Sequence, residues 1–433
     1  MASRTLWYPY YLLGLIFLIN ILNVADKMIL GVLIEQIKAE FGLSDTQLGF
    51  LSGLAFAVVY SILGLPLARL ADRSNRRNLI SACLGLWSLS TALCGMALNF
   101  LQLLGGRLGV AVGEAGFTPA THSLIADYFP RTRRGFAMAV YSLGSPFGQF
   151  AAVTIGGMIA ATYGWRVAFF AFGIPGLLLA LLFRLSVKEP KRGAIDGLTA
   201  RDDPPPIGVV ARTVWQMKTF RNLMFASSLH AFILYGVGIW AIPFFLRSHD
   251  WDLATIGLWF GSLTAIFGGI GAFAGGALAD RLGRSDIAWY LKLPAWSIFA
   301  GLPLAIAGFL VPQTMHALLL LAIVSLFWSA WQAPTFAIIQ TVAPLRMRAT
   351  AAAVLIFTIN LVGFGLGPLA VGALSDLIQP LAGEDSLRFA LLATLALAPL
   401  SVILFFRAAH ALASDTAIQE RGDTETRNPP APV

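Results

Sequence analysis

The sequence predicts an all-α membrane protein with twelve transmembrane helices in two pseudo-symmetric six-helix bundles. First, only 12% of its 433 residues are charged and 57% are hydrophobic, whereas a soluble protein of this length needs more charge to cover its surface. Second, the apolar residues gather in runs that are mostly near the roughly 20 residues with which a helix crosses a bilayer. Third, a motif around Asp72 returns around Asp280, which indicates an internal duplication.

Each apolar run is interpreted as a helix, because backbone groups in lipid must be hydrogen-bonded within their own segment. The first run is too long for the apolar core of a signal peptide, so we expect it to be retained. The predicted spans are 11–34, 47–70, 78–97, 101–127, 136–162, 165–186, 222–246, 255–279, 288–311, 315–342, 349–377 and 386–408.

Further landmarks recur in the same order in the second half. Pro119 corresponds to Pro334, and Pro130 corresponds to Pro344. Like order in two six-span halves predicts a parallel repeat about an axis along the membrane normal. The chain is therefore divided into an N-terminal bundle, a cytoplasmic linker, a C-terminal bundle and a cytoplasmic tail for which we expect disorder. Their predicted bounds are 1–186, 187–221, 222–409 and 410–433.

Within the linker, apolar residues recur at helical spacing beside basic ones. Val210 and Val214 are spaced this way, with Arg212 and Lys218 nearby. The pattern fits a helix that lies in the membrane interface, and an ordinary solvated loop fits it equally well.

The repeated motif, ARLADRSNRR at 68–77 and GALADRLGR at 276–284, closes an apolar span and opens a basic loop. An aspartate at a helix end can cap a neighbouring helix and pair with an arginine. We predict that such pairs hold the cytoplasmic side shut and break as the two halves rock. Because surface ion pairs are individually weak, they would favour the closed state in the population of conformations rather than lock it. The predicted gating residues are Asp72, Arg73, Arg76, Arg134, Asp280, Arg281, Arg284 and Arg348.

The net charge of +8 follows the predicted topology. Most of the 30 Lys and Arg residues fall in the termini or in the even-numbered loops. The positive-inside rule then places both termini in the cytoplasm, and we expect a multi-pass protein of the cell (inner) membrane. The charge thus gives no reason to expect a nucleic-acid partner.

Ionisable residues inside the spans are the strongest functional signal, because each costs roughly 2.5–3.5 kcal/mol at a helix centre. Arg107 and Glu114 are seven residues apart, so they share nearly one face of span four. We expect both to face a central cavity with Asp26 of span one. Asp26 and Glu114 are the predicted proton-coupling residues, and Arg107 is the predicted partner of a carboxylate and of a substrate anion. A static ion cluster that joins the two spans is the alternative.

Two residues near this set have alternative roles. Lys27 points about 100° away from Asp26 on the helix, so it either snorkels or meets another helix. His122 fits helix packing or capping better than a proton relay.

Spans seven and ten occupy the corresponding places in the second half, yet they contain no Asp, Glu, Lys or Arg. They contain His230 and aromatic residues, which predicts an apolar, aromatic wall opposite a charged one. Such a cavity suits an amphipathic solute; alternatively, proton coupling needs charge in one half only. With Arg107, the predicted substrate-binding residues are Tyr235, Trp240, Trp328, Trp331 and Gln332.

The sequence favours neither an enzyme nor a metalloprotein. It has no phosphate-binding loop, no nucleophile motif and no metal-ligand spacing. Cys83 and Cys94 both lie in span three and fit apolar packing. We therefore expect no metal and no cofactor, a proton gradient as the energy source, and a monomer whose partners are membrane lipids, protons and a small amphipathic substrate.

These motifs resemble those of the major facilitator superfamily, and a narrower resemblance is to the Spinster-like lipid transporters. The narrower one is carried by 23–27, by 70–77 and by Arg107 with 113–115. The family usually has Asp-Arg where this chain has Asp26 and Lys27. The resemblance implies proton-linked movement of lysophospholipids or sphingoid lipids, with the roles of the family's Asp, Arg and Glu carried over to Asp26, Arg107 and Glu114.

Segment 113–120 is also similar to organic anion symporters of the same superfamily. We therefore expect a secondary active transporter that works by rocker-switch alternating access on a lipid-like substrate. The alternatives are an organic anion/proton symporter and a multidrug efflux transporter.

Overall fold

The computed structural model describes residues 3–190, 207–249, 251–343 and 347–427, and within these ranges the chain is helical, without strands. For some of these residues, among them Asp72 and 416–427, only the backbone is described. The α-helices are α1 (Ser3–Phe41), α2 (Asp45–Gly49), α3 (Ala55–Arg73), α4 (Arg76–Cys94), α5 (Phe100–Ala115), α6 (Phe117–Tyr128), α7 (Arg131–Phe150), α8 (Gly157–Tyr163), α9 (Trp165–Ser186), α10 (Ile207–Gln216), α11 (Lys218–Ser248), α12 (Leu253–Gly283), α13 (Trp289–Leu310), α14 (Thr314–Trp328), α15 (Gln332–Val342), α16 (Arg348–Thr358), α17 (Gly367–Ala382), α18 (Ser386–Leu395) and α19 (Ala398–Arg427).

These helices form twelve crossing segments, as predicted. The first bundle consists of α1, α2 with α3, α4, α5 with α6, α7 with α8, and α9. The second consists of α11, α12, α13, α14 with α15, α16 with α17, and α18 with α19. By length and composition, nine stretches of the described residues are apolar enough to cross a membrane, and one of them, Thr350–Ala413, is long enough for two crossings. The segments outside that set are α4 and α5 with α6.

Three crossing segments contain a stretch of π-helix. These stretches are Phe50–Leu54, Ala151–Gly156 and Ile359–Leu366. Each lies where the two bundles meet: the first and third pack on each other, and the second packs on α12. Since π-helical turns often occur at functional sites, their common position directs attention to the contact between the bundles.

Polar side chains of the types that favour N-cap positions cap several helices. Ser44 and Gln47 form a reciprocal capping box at the start of α2. Asn75 caps α4, and Asp252 accepts from the Thr255 side chain and from its backbone N–H at 2.9 Å. These hydrogen bonds hold the pKa of Asp252 below its usual range.

Polar contacts define two ends of the molecule. At one end, Tyr8 of α1 donates to the carbonyl of Ser186 at the end of α9, and the N–H of Thr219 in α11 donates to Asp415 of α19 at 2.6 Å. The chain leaves the first bundle and enters the second here, and we call this end the linker face. The other end, where α1 and α11 finish, is called the opposite face.

Glycines on the helix surfaces allow helices to pack closely inside each bundle. A Cβ on Gly113 of α5 would lie 2.6 Å from the backbone nitrogen of Trp87 in α4, and one on Gly271 of α12 would lie 2.0 Å from the carbonyl oxygen of Leu326 in α14. Both bundles therefore use glycines for close helix contact, between α4 and α5 in the first and between α12 and α14 in the second.

Part of the linker is helical, and its predicted place in the membrane interface stays a prediction. Residues 207–216 form helix α10, whose Val210 and Val214 are buried and which packs on α11 and α16. Residues 191–206 lie outside the described part. Helix α19 runs to Arg427, and Asp415 accepts from the N–H of Thr219 at the start of α11. The expected disorder of the tail stays a prediction. Residues 428–433 are outside the described ranges.

Candidate functional site

A cluster of charged side chains lies between α1 and α5 inside the first bundle. The Lys27 ammonium nitrogen lies 3.0 Å from Oε2 of Glu114 and donates to Oδ1 of Asn23, one turn earlier on α1, at 2.9 Å. Glu114 is fully buried, whereas the Lys27 side chain is 21% exposed. This ion pair therefore has one member sealed in the bundle and one that reaches open space.

Arg107 and Asp26 form the other part of the cluster, and both are fully buried. Nη1 of Arg107 donates to the backbone carbonyl of Asp26 at 2.9 Å. The carboxylate oxygens of Asp26 and the Nε and Nη2 atoms of Arg107 have no hydrogen-bond partner among the described atoms. Buried polar atoms are normally hydrogen-bonded, so such a concentration of free donors and acceptors marks a site rather than a core.

The pairing differs from the expected one. The sequence analysis places Arg107 beside a carboxylate and leaves the partner of Lys27 open. In the structure Lys27 is the counter-ion of Glu114, while Arg107 binds the backbone of Asp26. The rotation of α1 against α5 decides this, and packing sets that rotation. The expected grouping of Asp26, Arg107 and Glu114 in one place is observed.

Aromatic rings extend the cluster from the first bundle to the second. Lys27 lies 5.2 Å from the ring of Tyr60, which stacks on Phe56. Phe56 in turn meets Phe364 of the second bundle edge-on at 5.4 Å, and Phe364 meets Tyr235 at 5.2 Å. A chain of aromatic rings thus leads from the charged cluster to the second bundle. No local sequence signal pointed to Tyr60, Phe56 or Phe364.

His122 lies on α6, on the linker side of Glu114. Its ring is exposed and meets Tyr141 edge-on at 5.3 Å. His122 therefore packs against a neighbouring helix, which is one of the roles considered for it.

The aromatic residues predicted to bind substrate occupy different environments. Trp240 is buried and donates its indole N–H to the carbonyl of Pro368 at 2.9 Å. Trp328 and Trp331 are buried, and each meets the ring of His230 edge-on, with centroids 5.8 and 5.3 Å away. These three tryptophans pack inside the second bundle.

Two other predicted residues are more accessible. Tyr235 is half-buried beside Phe364, and Gln332 is exposed. Of the predicted substrate-binding residues in the second bundle, Tyr235 therefore contacts the ring chain that leads to the charged cluster. The substrate-binding roles stay predictions.

The predicted gating residues lie at the linker face. Arg76 is buried and binds Asp127 and Glu189, the latter at 2.8 Å. Burial disfavours the charged guanidinium, but the two carboxylates outweigh it and raise the pKa of Arg76. Arg134 donates to the carbonyls of Ala126 and Phe129. The contacts described for these two arginines lie within the first bundle.

In the second bundle the expected aspartate–arginine pairing is replaced by another contact. Asp280 accepts from the hydroxyl of Tyr290 at 2.7 Å, while Arg348 donates to the carbonyl of Ala343 at 3.3 Å. A tyrosine from α13 reaches Asp280 because α12 and α13 are adjacent in chain and space. Arg73, Arg281 and Arg284 are exposed. The Asp72 side chain lies outside the described part of the chain, so its predicted role stays a prediction.

A polar cluster that the sequence analysis missed joins the two bundles at the opposite face. Arg247, at the end of α11, binds Oε1 of Glu35 at 2.7 Å and Oδ2 of Asp45 at 2.6 Å. Asp45 also accepts from Lys38 and from Ser375 of α17. Its members are far apart in the chain, so no local pattern signals it.

Asp376 completes this opposite-face cluster. Its carboxylate accepts from the backbone N–H groups of Asp45 and Thr46, at 3.0 and 2.7 Å, and from the Thr46 hydroxyl at 2.6 Å. A carboxylate at the first N–H groups of a helix is stabilised by those donors and by the helix dipole.

Glycines bring the bundles together beside this cluster. A Cβ on Gly372 would lie 2.2 Å from the carbonyl oxygen of Asp45, and one on Gly49 would lie 2.4 Å from that of Pro368. On the other side of the contact, a Cβ on Gly257 would lie 2.6 Å from the carbonyl oxygen of Val153. The bundles thus touch backbone to backbone toward the opposite face, which closes this end.

Within the described residues, no group of three or more His, Cys, Asp or Glu side chains could hold a metal ion. Cys83 and Cys94 are buried free thiols. The site consists of fixed charges, amides and rings, which can bind ions and protons.

Comparisons with known proteins agree with the twelve-helix fold. The family model of the Major Facilitator Superfamily matches residues 16–368. An "MFS-type efflux pump" of Mycolicibacterium smegmatis is 34% identical over 88% of this chain and 87% of its own length. "Protein spinster homolog 1" of Xenopus laevis is 26% identical over 84% of this chain and 72% of its own length.

Among solved structures, a bacterial homologue of the human lysosomal transporter Spinster, in an inward-facing and unoccupied conformation, is 28% identical. It superposes with a TM-score of 0.84, covering 94% of this chain and 98% of that one.

Proposed function

The chain belongs to the major facilitator superfamily of membrane transporters, and we propose that it is a proton-coupled carrier of an amphipathic, lipid-like molecule with an anionic head. The observation that carries the proposal is the contrast across the site. Charged groups with free hydrogen-bonding atoms line one side, and the rings of Phe364 and Tyr235 lie on the other, beyond the ring of Phe56.

The anionic head would bind at Lys27 and Arg107. Lys27 is the partly exposed member of its ion pair, and Arg107 has two free guanidinium nitrogens, a planar donor set that suits phosphate or carboxylate. An apolar tail would lie along the Phe364 and Tyr235 rings. This assignment accounts for the difference between the walls without a bound metal or cofactor.

Proton coupling would follow from competition for Lys27. An anion that draws the ammonium away leaves Glu114 buried without its counter-ion, and a carboxylate in that position binds a proton rather than keep an uncompensated charge. Asp26, which has no hydrogen-bond partner among the described atoms, is the second proton-binding candidate. Substrate and proton would then load together, with the proton gradient as energy source.

Alternating access would use the two ends of the molecule. The contacts of Arg247 and the glycines near Asp45 close the opposite face, which supports a state open toward the linker face, as in the inward-facing relative. Positive charge at the linker face supports its placement in the cytoplasm. We further propose that the protein acts as a monomer in the cell membrane.

A second candidate, efflux of amphipathic compounds, is favoured by the relative named an efflux pump. It uses the same site but tolerates loss of Arg107, because a broad carrier of cations does not need a guanidinium for the head group.

The test is a flux assay on purified protein in liposomes, with and without a pH gradient. Labelled lysophospholipid, a hexuronate and a cationic dye are compared. Lysophospholipid flux that the gradient drives and that Arg107→Gln abolishes is the expected result. Clear hexuronate flux with no lipid flux rejects the lipid assignment, and dye flux that survives Arg107→Gln favours efflux.

A further inference from the structure

A groove at the linker end of the second bundle lies outside the transport site. It runs between α11 and α19 and has a volume of about 560 Å³. Its lining combines cationic, polar and apolar side chains: Lys218, Asn222, Ile403, Phe406, Arg407 and His410.

The groove has a regular construction from two helix faces. One face of α11 carries three residues at helical spacing, namely Lys218, Asn222 and Phe225. One face of α19 likewise carries Ile403 and Arg407. Polar groups therefore collect at the linker face, and apolar groups continue from them toward the middle of the bundle.

The cations of the groove are available to a ligand. Lys218, Arg407 and His410 are exposed, and none of the ion pairs found among the described residues includes Lys218 or Arg407. The neighbouring acid, Asp415, is buried and accepts from the N–H of Thr219 at 2.6 Å. His410 uses Nδ1 toward the carbonyl of Phe406 at 3.2 Å, which leaves Nε2 for a ligand.

The apolar continuation of the groove is open as well. Phe225, Leu400 and Ile403 are 45%, 48% and 49% exposed. Trp296 of α13 packs edge-on against Phe406 at 5.5 Å and extends the same surface. An alkyl chain fits this surface, whereas a soluble anion gains nothing from it.

We propose that this groove binds an anionic phospholipid of the leaflet at the linker face. The phosphate accepts hydrogen bonds from Lys218, Arg407 and His410, and one acyl chain lies along Phe225 and Ile403. Basic pockets between transmembrane helices recognise anionic head groups in this way. The groove is separate from the charged cluster of the proposed function and does not depend on it.

The experiment measures binding of phosphatidylglycerol to the full-length protein in phosphatidylcholine nanodiscs. The double variant Lys218→Gln, Arg407→Gln removes both fixed charges of the groove. We expect its affinity for phosphatidylglycerol to fall about tenfold or more, since each cation near anionic lipid contributes substantially to attraction. The matched control is Arg184→Gln, an exposed arginine near the end of α9 at the same face, which should bind as the unmodified protein does.

Three outcomes overturn the proposal. Equal loss in the Arg184→Gln control means that general surface charge binds the lipid. Unchanged binding in the double variant removes the groove as the site. Full competition by soluble glycerol phosphate shows an anion site that has no use for the acyl chain. Because both groove residues are exposed, the double variant should fold, and its thermal unfolding in phosphatidylcholine alone checks this.

Discussion

The two bundles are alike in packing and different in chemistry. In both, glycines let neighbouring helices touch, at Gly113 in the first and Gly271 in the second. In corresponding helices, however, the first contains the charged cluster of Lys27 and Glu114, and the second contains His230 in contact with two tryptophans. Close glycine contacts thus occur in both bundles, while the ionisable cluster lies in the first.

This contrast indicates that the two bundles have different roles. Charge inside a membrane protein needs a partner or water and is retained where it serves a function. In the first bundle it is retained; in the second, rings fill the corresponding space. We infer that the first bundle handles protons and the anionic head, and that the second accommodates the apolar part of the substrate.

The largest expected effect is that of Glu114→Gln. Without the carboxylate that pairs with Lys27, uptake driven by a pH gradient should fall to background, while exchange of substrate at equal pH persists. Proteoliposome flux measures both. The matched control is Glu40→Gln, which removes an acid that pairs with Arg166 at the surface of the first bundle. Gradient-driven uptake that survives Glu114→Gln would take the proton role away from this residue.

Next in size is Arg247→Gln, which removes the cation shared by Glu35 and Asp45 between the bundles. Hydrogen bonds to charged groups contribute about 1.5–3 kcal/mol each, so the closed state of the opposite face should lose a large share of its population. Accessibility of a cysteine introduced near residue 376 reports this opening. Arg166→Gln is the control, because Arg166 and Glu40 both belong to the first bundle. Equal accessibility in both variants would contradict the role of the opposite-face cluster.

The packing half of the comparison is tested by Gly113→Ala and Gly271→Ala. Each new Cβ would meet backbone atoms within 2.6 Å, and overpacking of this kind costs about 1–3 kcal/mol. The midpoint temperature of thermal unfolding in detergent should fall by a similar amount for the two variants. Gly105→Ala, whose Cβ would meet nothing within 4 Å, should not destabilise. A large effect in one bundle alone would break the parallel between the copies.

The smallest effect is expected for Tyr235→Leu. Its ring packs on Phe364 in the second bundle, so its loss should alter the preferred tail length by a few-fold in apparent affinity, with proton coupling intact. Competition by lysophospholipids of different chain length measures the preference. Tyr163→Leu, an exposed tyrosine at the end of α8, is the control. Loss of coupling in Tyr235→Leu would show that the division between the bundles is too simple.

The sequence predicts the architecture well because its signals are local. Run length and the motif around Asp72 and Asp280 depend on residues close together in the chain, and the twelve crossings follow from them. The grouping of Arg107 with Glu114 on one helix face follows from helical periodicity alone.

What the sequence could not predict depends on how helices rotate and meet. The Lys27–Glu114 pair needs the rotation of α1 against α5, and the contact of Arg247 with Asp45 joins residues that are 202 positions apart. The burial of Trp240 and Trp328 depends on packing in the same way. Composition identifies such side chains as aromatic but does not say which of them face a cavity.

The most direct measurement is the structure of the protein with a bound lysophospholipid. The account predicts the phosphate within hydrogen-bond distance of Lys27 or Arg107 and the acyl chain against Phe364 and Tyr235. A head group held by the second bundle, with the chain against the charged cluster, would contradict it.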